Sequence, residues 1–270
     1  MSDRWMVCDG ATARATARTT ARATARTTAR ATADWREYHG TMAEEWTQAD
    51  GSATDRAWLA DWRRRIAALY VEVRAMAAAD PAAAHAHWRT VRERLYREHP
   101  QSPVPVGGRA RFRARHFAYD PSLRFDVAVE PTEPDPERRD PAGWAPGAFA
   151  IELPNSGPDT LSFARVGRIQ IPFAEGPRSL GVFWMAGYAG GLFIPFRDAT
   201  NGTETYGAGR YLVDAAKSAD LGGDPARGTI VVDFNFAFQP SCAFDARWAC
   251  PLAPPENRLD LPIRAGERRS

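Results

Sequence analysis

The sequence has few cysteines, little net charge and no long apolar run, and each absence excludes a class of protein. Its 270 residues include 3 cysteines, too few for a disulfide-rich scaffold. The 35 basic and 33 acidic residues leave a net charge of +2, unlike a strongly basic nucleic-acid-binding protein. No segment approaches the roughly 18 apolar residues of a membrane span. We therefore expect neither nucleic acid nor membrane as a partner.

Residues 1–33 are dominated by an alanine, threonine and arginine repeat, in which ATARTTAR occurs at 15–22 and again at 23–30. Residues 11–33 contain no large apolar side chain, so we predict a disordered tail. An arginine-rich, acid-poor start is also typical of a mitochondrial transit peptide, and this alternative stays open. Because no apolar segment of a secretory signal follows the first basic residues, we expect a cytoplasmic protein.

Residues 34–103 are predicted to form a helical N-terminal segment that packs on the rest of the chain. Thr41–Glu44 has the pattern of a capping box. Asp55 is expected to cap a long helix, and Asp80-Pro81 to end it and begin a second helix. The apolar positions recur every three or four residues; they are Trp58, Leu59, Trp62, Ile66, Leu69, Tyr70, Val73 and Met76, then Ala84, Trp88, Val91 and Leu95.

Residues 104–270 change to an alternating pattern and are predicted to form a β-rich body. The predicted strands cover 110–118, 123–130, 148–153, 160–173, 180–186, 192–197 and 229–238. Asn201-Gly202 fits a tight hairpin, and five prolines within 130–146 indicate an exposed loop. No helix-length pattern separates the strands. The predicted fold class is therefore α+β, a mostly antiparallel β sandwich or barrel with an N-terminal helical layer.

Polar side chains concentrate in the C-terminal third. In the strand predicted at 229–238, the alternate residues Ile230 to Phe238 would face the core, and Asp233 and Asn235 would share the opposite face. The hypothesis is a small-molecule site built from Tyr206, Arg210, Tyr211, Asp233, Asn235, Glu256, Asn257 and Glu267. Acid–base catalysis would fall to Asp233, Glu256 or Glu267. In the alternative, the same residues only brace loops in a structural or interaction module, with Arg210 paired to a carboxylate.

The remaining chemistry-bearing residues give weaker signals. Cys242 and Cys250 are too far apart for a zinc knuckle, so we expect no metal site; buried thiols and a reversible disulfide both remain open. The glycine run at 207–210 is too short for a dinucleotide fingerprint. His116 is the one histidine expected to reach the β body. The sequence therefore leaves the cofactor, the oligomeric state and enzymatic activity open.

Several C-terminal motifs resemble a known family. FRDATNGTETYGAGRYL (196–212), DFNFAFQPSC (233–242), CPLAPPEN (250–257) and AGE (265–267) occur in the order found in the bacterial family catalogued as domain of unknown function 1684. HWRTVRERLYREHPQSPVP (87–105) is similar to one branch of it. The chain departs from the family pattern at Phe238 and Gln239, where Tyr and Asn are usual. The resemblance implies no established activity.

Overall fold

The computed structural model describes residues 52–131, 149–153, 156, 161–185 and 190–269. Two long helices come first, α1 (Ala53–Ala77) and α2 (Pro81–Glu98), and a single helical turn follows, α3 (Val106–Arg109). None of these helices is long and apolar enough to cross a membrane. The repeat tail, the capping box at Thr41–Glu44 and most of the proline-rich loop lie outside the described residues.

The helix ends are determined by side-chain caps. Ser52 caps α1, and its hydroxyl accepts a hydrogen bond from the backbone N–H of Asp55 at 3.1 Å. The prediction that Asp55 is the cap was wrong, because the Asp55 carboxylate instead accepts from the Gln101 amide. Asp80 caps α2 as predicted, accepting from the N–H of Ala83 at 2.9 Å.

Within the described ranges, eight strands form an entirely antiparallel sheet. They are β1 (Arg124–Pro131), β2 (Phe149–Leu153), β3 (Leu161–Phe173), β4 (Gly176–Met185), β5 (Gly191–Phe196), β6 (Arg210–Asp214), β7 (Gly223–Asp224) and β8 (Thr229–Asp233). Their order is β6-β5-β4-β3-β1-β8-β7, and β2 pairs with β3. The fold is therefore α+β with a β-rich body and an N-terminal helical layer, as predicted.

Both faces of the sheet are buried in separate hydrophobic clusters. One cluster joins the helices to the sheet, and the other packs beneath the C-terminal segment. Because strand side chains alternate, neighbouring residues divide between the two clusters: Phe183, Phe193 and Tyr211 lie on the helix side, and Val182, Ile194 and Leu212 on the opposite side. Both long helices supply the helical part of the first cluster, with Ile66, Leu69, Tyr70 and Val73 from α1 and Ala84, Trp88, Leu95 and Tyr96 from α2.

The strand prediction at 229–238 was wrong beyond Asp233. The Asp233 carboxylate accepts from the N–H of Asn235 at 2.9 Å and caps a 3₁₀ turn over Phe234–Phe236. The turn breaks the alternation, so Phe234 packs in the opposite cluster, whereas Phe236 and Phe238 pack on the helix side. Asp233 and Asn235 are both buried rather than on an outer face.

Two further predictions of local structure were wrong. Residues 110–118 form no strand; they follow α3 as extended chain with one antiparallel bridge, His116 to Glu267. Asn201-Gly202 does not join two strands directly but lies in the loop at 197–209, between β5 and β6. Strands β6 and β7 were not predicted, because turn residues and glycines surround both of them.

Candidate functional site

A cavity of about 180 Å³ lies where the long helices meet the C-terminal part of the β body. We call it the helix–body cavity. Its lining residues are Leu59, Trp62, Arg63, Ile66, Leu69, Tyr70, Trp88, Arg92, Tyr96, Gln101 and Pro103 from the helical segment, and Lys217, Ala219, Phe238, Gln239, Pro240, Ser241, Trp248, Ala249 and Cys250 from the body. A cavity of about 150 Å³ holds benzene. The helix–body cavity therefore has room for one ring with a small substituent.

Arg92, which lines the cavity, belongs to a buried ion pair with Glu267. Arg92 Nε lies 2.6 Å from Glu267 Oε1, and Arg92 Nη2 lies 3.2 Å from Oε2. The guanidinium also stacks over three rings, with its Cζ 4.4 Å from the Tyr96 centroid, 4.8 Å from Phe238 and 5.4 Å from Trp88. Because both side chains are almost fully buried, each charge depends on the other for compensation.

Glu267 is positioned by the backbone on either side of it. Gly266 has φ +77, and a Cβ at this position would collide with the carbonyl oxygen of Ala237, so this turn requires glycine. The Glu267 carboxylate also accepts from the N–H of Gln239 at 2.7 Å. Burial alone would raise the pKa of Glu267, but Arg92 outweighs burial and the pKa is lowered. Glu267 is therefore an ionised partner of Arg92 at neutral pH.

Two cations and two indole groups give the cavity its polar character. Arg63 is exposed, and the Lys217 side chain is 45% exposed and lies 2.9 Å from Asp214. The indole nitrogen of Trp248 is buried and has no hydrogen-bond acceptor in the described part of the chain, whereas the Trp88 side chain is hydrogen-bonded to Tyr70. Among the described residues, the lining thus contains one buried N–H donor without an acceptor, next to exposed positive charge.

A cysteine pair adjoins the cavity. Cys250 lines it, and the N–H of Cys242 donates to the sulfur of Cys250 at 3.3 Å. Two residues of the predicted site lie beside this pair. The Tyr206 hydroxyl is 3.7 Å from Cys242 Sγ, and the Tyr211 hydroxyl donates to the carbonyl of Pro251 at 2.5 Å. Burial raises the pKa of Tyr206 to about 12, so its hydroxyl remains a donor at neutral pH.

Arg210 lies in a second group of contacts and is completely buried. Its Nη2 is 2.7 Å from Asp198 Oδ2 and 2.9 Å from the carbonyl oxygen of Ile263, and its Nη1 donates to the carbonyls of Ala265 and Glu267. Arg210 therefore ties the loop after β5 to the C-terminal segment. It contacts the backbone of Glu267 but does not line the helix–body cavity.

Asp233 and Asn235 lie together in a third place. The Asn235 amide donates to Asp233 Oδ1 at 2.8 Å and binds both the N–H and the carbonyl of Asp120. Arg124 Nη1 lies 3.1 Å from Asp233 Oδ2. Burial raises the pKa of Asp233, and the hydrogen bonds from Asn235 and Arg124 partly oppose this increase. These contacts fasten the chain before β1 to the end of β8.

Glu256 and Asn257 lie in a fourth place, next to β3 and β4. Glu256 is 2.8 Å from Arg165 and about one-third exposed. The Asn257 amide accepts from the N–H of Gly181 at 2.7 Å and donates to the carbonyls of Gly181 and Pro195. The Asn257 amide thus forms hydrogen bonds with the backbone of β4 and β5 of the kind that a neighbouring strand would form. The eight predicted residues are therefore distributed over several groups of contacts rather than lining one cavity.

Sequence reasoning missed the helical wall of the cavity, above all Arg92. The signal was present: Arg92 follows Trp88 by four residues and precedes Tyr96 by four, so it lies on the apolar stripe of α2. A charged residue on a buried stripe requires a buried partner. No local pattern identifies that partner as Glu267, which lies 175 residues later.

His116 reaches the β body as expected, but it lies in a buried cluster of rings that includes His85 and Trp88. Its ring centroid is 5.5 Å from Trp88 and 6.0 Å from His85. The ring is hydrogen-bonded to the backbone of Ala114, and Nε2 is 3.9 Å from Glu267 Oε1. Burial lowers the pKa values of His85 and His116 to about 4, so both rings are neutral at pH 7.

Comparison with known proteins gives a family without an activity. Residues 112–268 match the family described as "Protein of unknown function (DUF1684)". The chain is also similar to an uncharacterised protein from Haloarcula marismortui, known from a solution NMR structure, with 32% identity and a TM-score of 0.47. That alignment covers 67% of this chain and 89% of the other. No curated protein matches the chain.

Proposed function

The chain belongs to the DUF1684 family, whose description assigns no activity, and we propose from the geometry that it binds a small molecule in the helix–body cavity. The ligand class is a single aromatic or similarly flat apolar ring that carries an anionic oxygen-containing group. The observation that carries the proposal is a cavity with aromatic walls in which the buried indole N–H of Trp248 has no acceptor among the described residues.

The apolar part of the ligand is indicated by the size and walls of the cavity. About 180 Å³ accommodates one ring with a small substituent. The rings of Trp62, Trp88, Tyr96 and Phe238 supply flat surfaces, on which an aromatic ligand stacks with favourable offset or edge contacts.

The polar part is indicated by the unpartnered donor of Trp248. A buried N–H without an acceptor costs about 1–3 kcal/mol, and a ligand oxygen near Trp248 would remove that cost. The nearby positive charges of Arg63 and Lys217 favour an anionic oxygen over a neutral one. An aromatic carboxylate combines these features, and benzoate is the simplest probe.

Binding is favoured over acid–base catalysis because each candidate carboxylate already has an arginine partner. Asp233 pairs with Arg124, Glu256 with Arg165 and Glu267 with Arg92. Their internal contacts support the alternative in which the predicted polar residues brace loops. Cavity binding requires none of the three carboxylates to act on a ligand.

The test is thermal unfolding of the full chain with increasing benzoate, with acetate and benzyl alcohol as comparison ligands. At 100 times Kd, mass action stabilises the fold by about 2.7 kcal/mol, which corresponds to a Tm rise of about 5–10 °C for a protein of this size. We expect benzoate to bind most tightly, because acetate lacks the ring and benzyl alcohol lacks the charge.

Two variants locate the binding site. Trp248→Phe removes one unpartnered donor and is expected to weaken benzoate binding, whereas the matched control Trp184→Phe, at a partly exposed tryptophan outside the cavity, is expected to leave binding unchanged. Lys217→Gln is expected to weaken benzoate more than benzyl alcohol. Equal effects of the two tryptophan variants, or a Tm insensitive to benzoate, would contradict the proposal.

A further inference from the structure

Cys242 and Cys250 are close enough to react with each other. The N–H of Cys242 is 3.3 Å from Cys250 Sγ, and the two thiol side chains are hydrogen-bonded to one another. Both are free thiols. Cys242 lies in a 3₁₀ turn over Ser241–Ala243, and a short loop joins this turn to Cys250. The backbone thus holds the two sulfur atoms together without a covalent bond.

The two thiols have different environments. Cys250 is buried with 4% of its surface exposed, whereas Cys242 is half-buried. The Tyr206 hydroxyl lies 3.7 Å from Cys242 Sγ and can donate to a thiolate there. Hydrogen bonding from Cys250 is the main reason that the pKa of Cys242 falls to about 6. The same contact and burial raise the pKa of Cys250.

This asymmetry is what a two-step thiol–disulfide exchange requires. The attacking sulfur must be accessible and ionised at neutral pH, and the second sulfur must lie within reach to displace the first partner. Cys242 meets the first condition and Cys250 the second. Ser156 reinforces the arrangement, because its hydroxyl accepts from the N–H of Cys250 at 2.9 Å.

We propose that Cys242 and Cys250 form a redox-active dithiol that exchanges with small organic disulfides, with Cys242 as the attacking sulfur and Cys250 as the resolving sulfur. The Cys242 thiolate attacks R–S–S–R, forms a Cys242–S–S–R bond and releases RS⁻. Cys250 then transfers its proton to RS⁻ and displaces the second RS⁻ from Cys242. The products are the Cys242–Cys250 disulfide, RSH and RS⁻, so two electrons pass from the protein to the small disulfide.

The experiment equilibrates the reduced full-length protein with defined mixtures of reduced and oxidised glutathione. Free thiols are trapped with N-ethylmaleimide and counted residue by residue by peptide mass spectrometry. We expect Cys242 and Cys250 to lose the label together as the oxidised fraction rises, and to recover it together on reduction. Label that persists on both cysteines in excess oxidised glutathione, or oxidation that links two chains, would overturn the proposal.

Variants test the assigned roles. Cys250→Ser is expected to stop at a glutathione mixed disulfide on Cys242, and Cys242→Ser to react at least tenfold more slowly. Cys8→Ser is the control, because it removes a thiol outside the pair and is expected to behave as the wild type. Tyr206→Phe is expected to move the pH midpoint of Cys242 alkylation upward from about 6. Faster reaction at Cys250 than at Cys242 would reverse the roles and refute the assignment.

Discussion

Replacing Arg92 by methionine tests the buried ion pair that joins the helical layer to the β body. Methionine keeps much of the aliphatic length but removes the charge, so the Glu267 carboxylate, 2% exposed, loses its counter-ion. Removing one partner of a buried pair costs about 3–5 kcal/mol. For a protein of this size we expect the Tm to fall by about 10 °C, measured by calorimetry and by urea unfolding.

The matched control is Arg178→Met. Arg178 lies 2.6 Å from Asp260, the same separation as Arg92 from Glu267, but the Asp260 side chain is 71% exposed. Water and salt screen an exposed pair, so we expect no resolvable change in Tm. The double variant Arg92→Met, Glu267→Met removes both buried charges and is expected to recover most of the stability lost in Arg92→Met.

The pH dependence of the stability is an independent test of this ion pair. In the wild type the pKa of Glu267 is lowered, so its contribution to stability is present at neutral pH and decreases as the pH falls through the carboxylate range. In Arg92→Met the largest opposing contribution is gone and only His116 and the N–H of Gln239 still oppose burial, so we expect this pKa to rise and protonation at acidic pH to restore part of the lost stability. A variant as stable as Arg178→Met, or one destabilised further by mild acid through Glu267, would refute this reasoning.

Two further predictions concern other buried groups. Burial lowers the pKa values of His85, His99 and His116 to about 4. The free energy of unfolding should therefore decrease as the pH falls from about 6.5 towards 4, by up to about 3 kcal/mol per ring. A urea midpoint that does not change across that range would contradict this prediction. Arg210→Lys should lower the urea midpoint clearly, because an ammonium group cannot reproduce the bonds to Asp198 and three carbonyls. A wild-type midpoint would show that these bonds contribute little.

Most of the helical layer and of the sheet could be predicted because their periodicity is local. The stripe of α2, the Asp80-Pro81 boundary and the alternation along β1 are each visible within a few residues. The prediction failed where a side chain replaces a backbone partner. Asp233 caps a turn and ends β8 inside a pattern that otherwise continues as alternating apolar residues. Such capping depends on a side-chain hydrogen bond, which the alternation of apolar residues in the sequence does not reveal.

The buried polar residues of the C-terminal third could be found from the sequence, but their partners could not, and none of the eight residues of the predicted site lines the helix–body cavity. Arg210 was expected to pair with a carboxylate and does so with Asp198 at 2.7 Å. Glu267 and Arg92 are separated by 175 residues, and no local pattern associates them. Asn257 likewise satisfies the backbone of Gly181 across 76 residues. Partners brought together by the tertiary fold are not encoded in the spacing of either residue.

The two proposals rest on different parts of the chain, so they make different predictions for related proteins. The cysteine pair, Tyr206 and Glu267 all lie within residues 112–268, the range that matches the family. Trp62, Trp88 and Arg92, which form the helical wall of the cavity, precede that range. We therefore expect dithiol chemistry to recur in relatives that have both cysteines and this tyrosine. We expect the cavity ligand, in contrast, to change with the helical segment, because that segment supplies most of the aromatic surface on which a ring would stack.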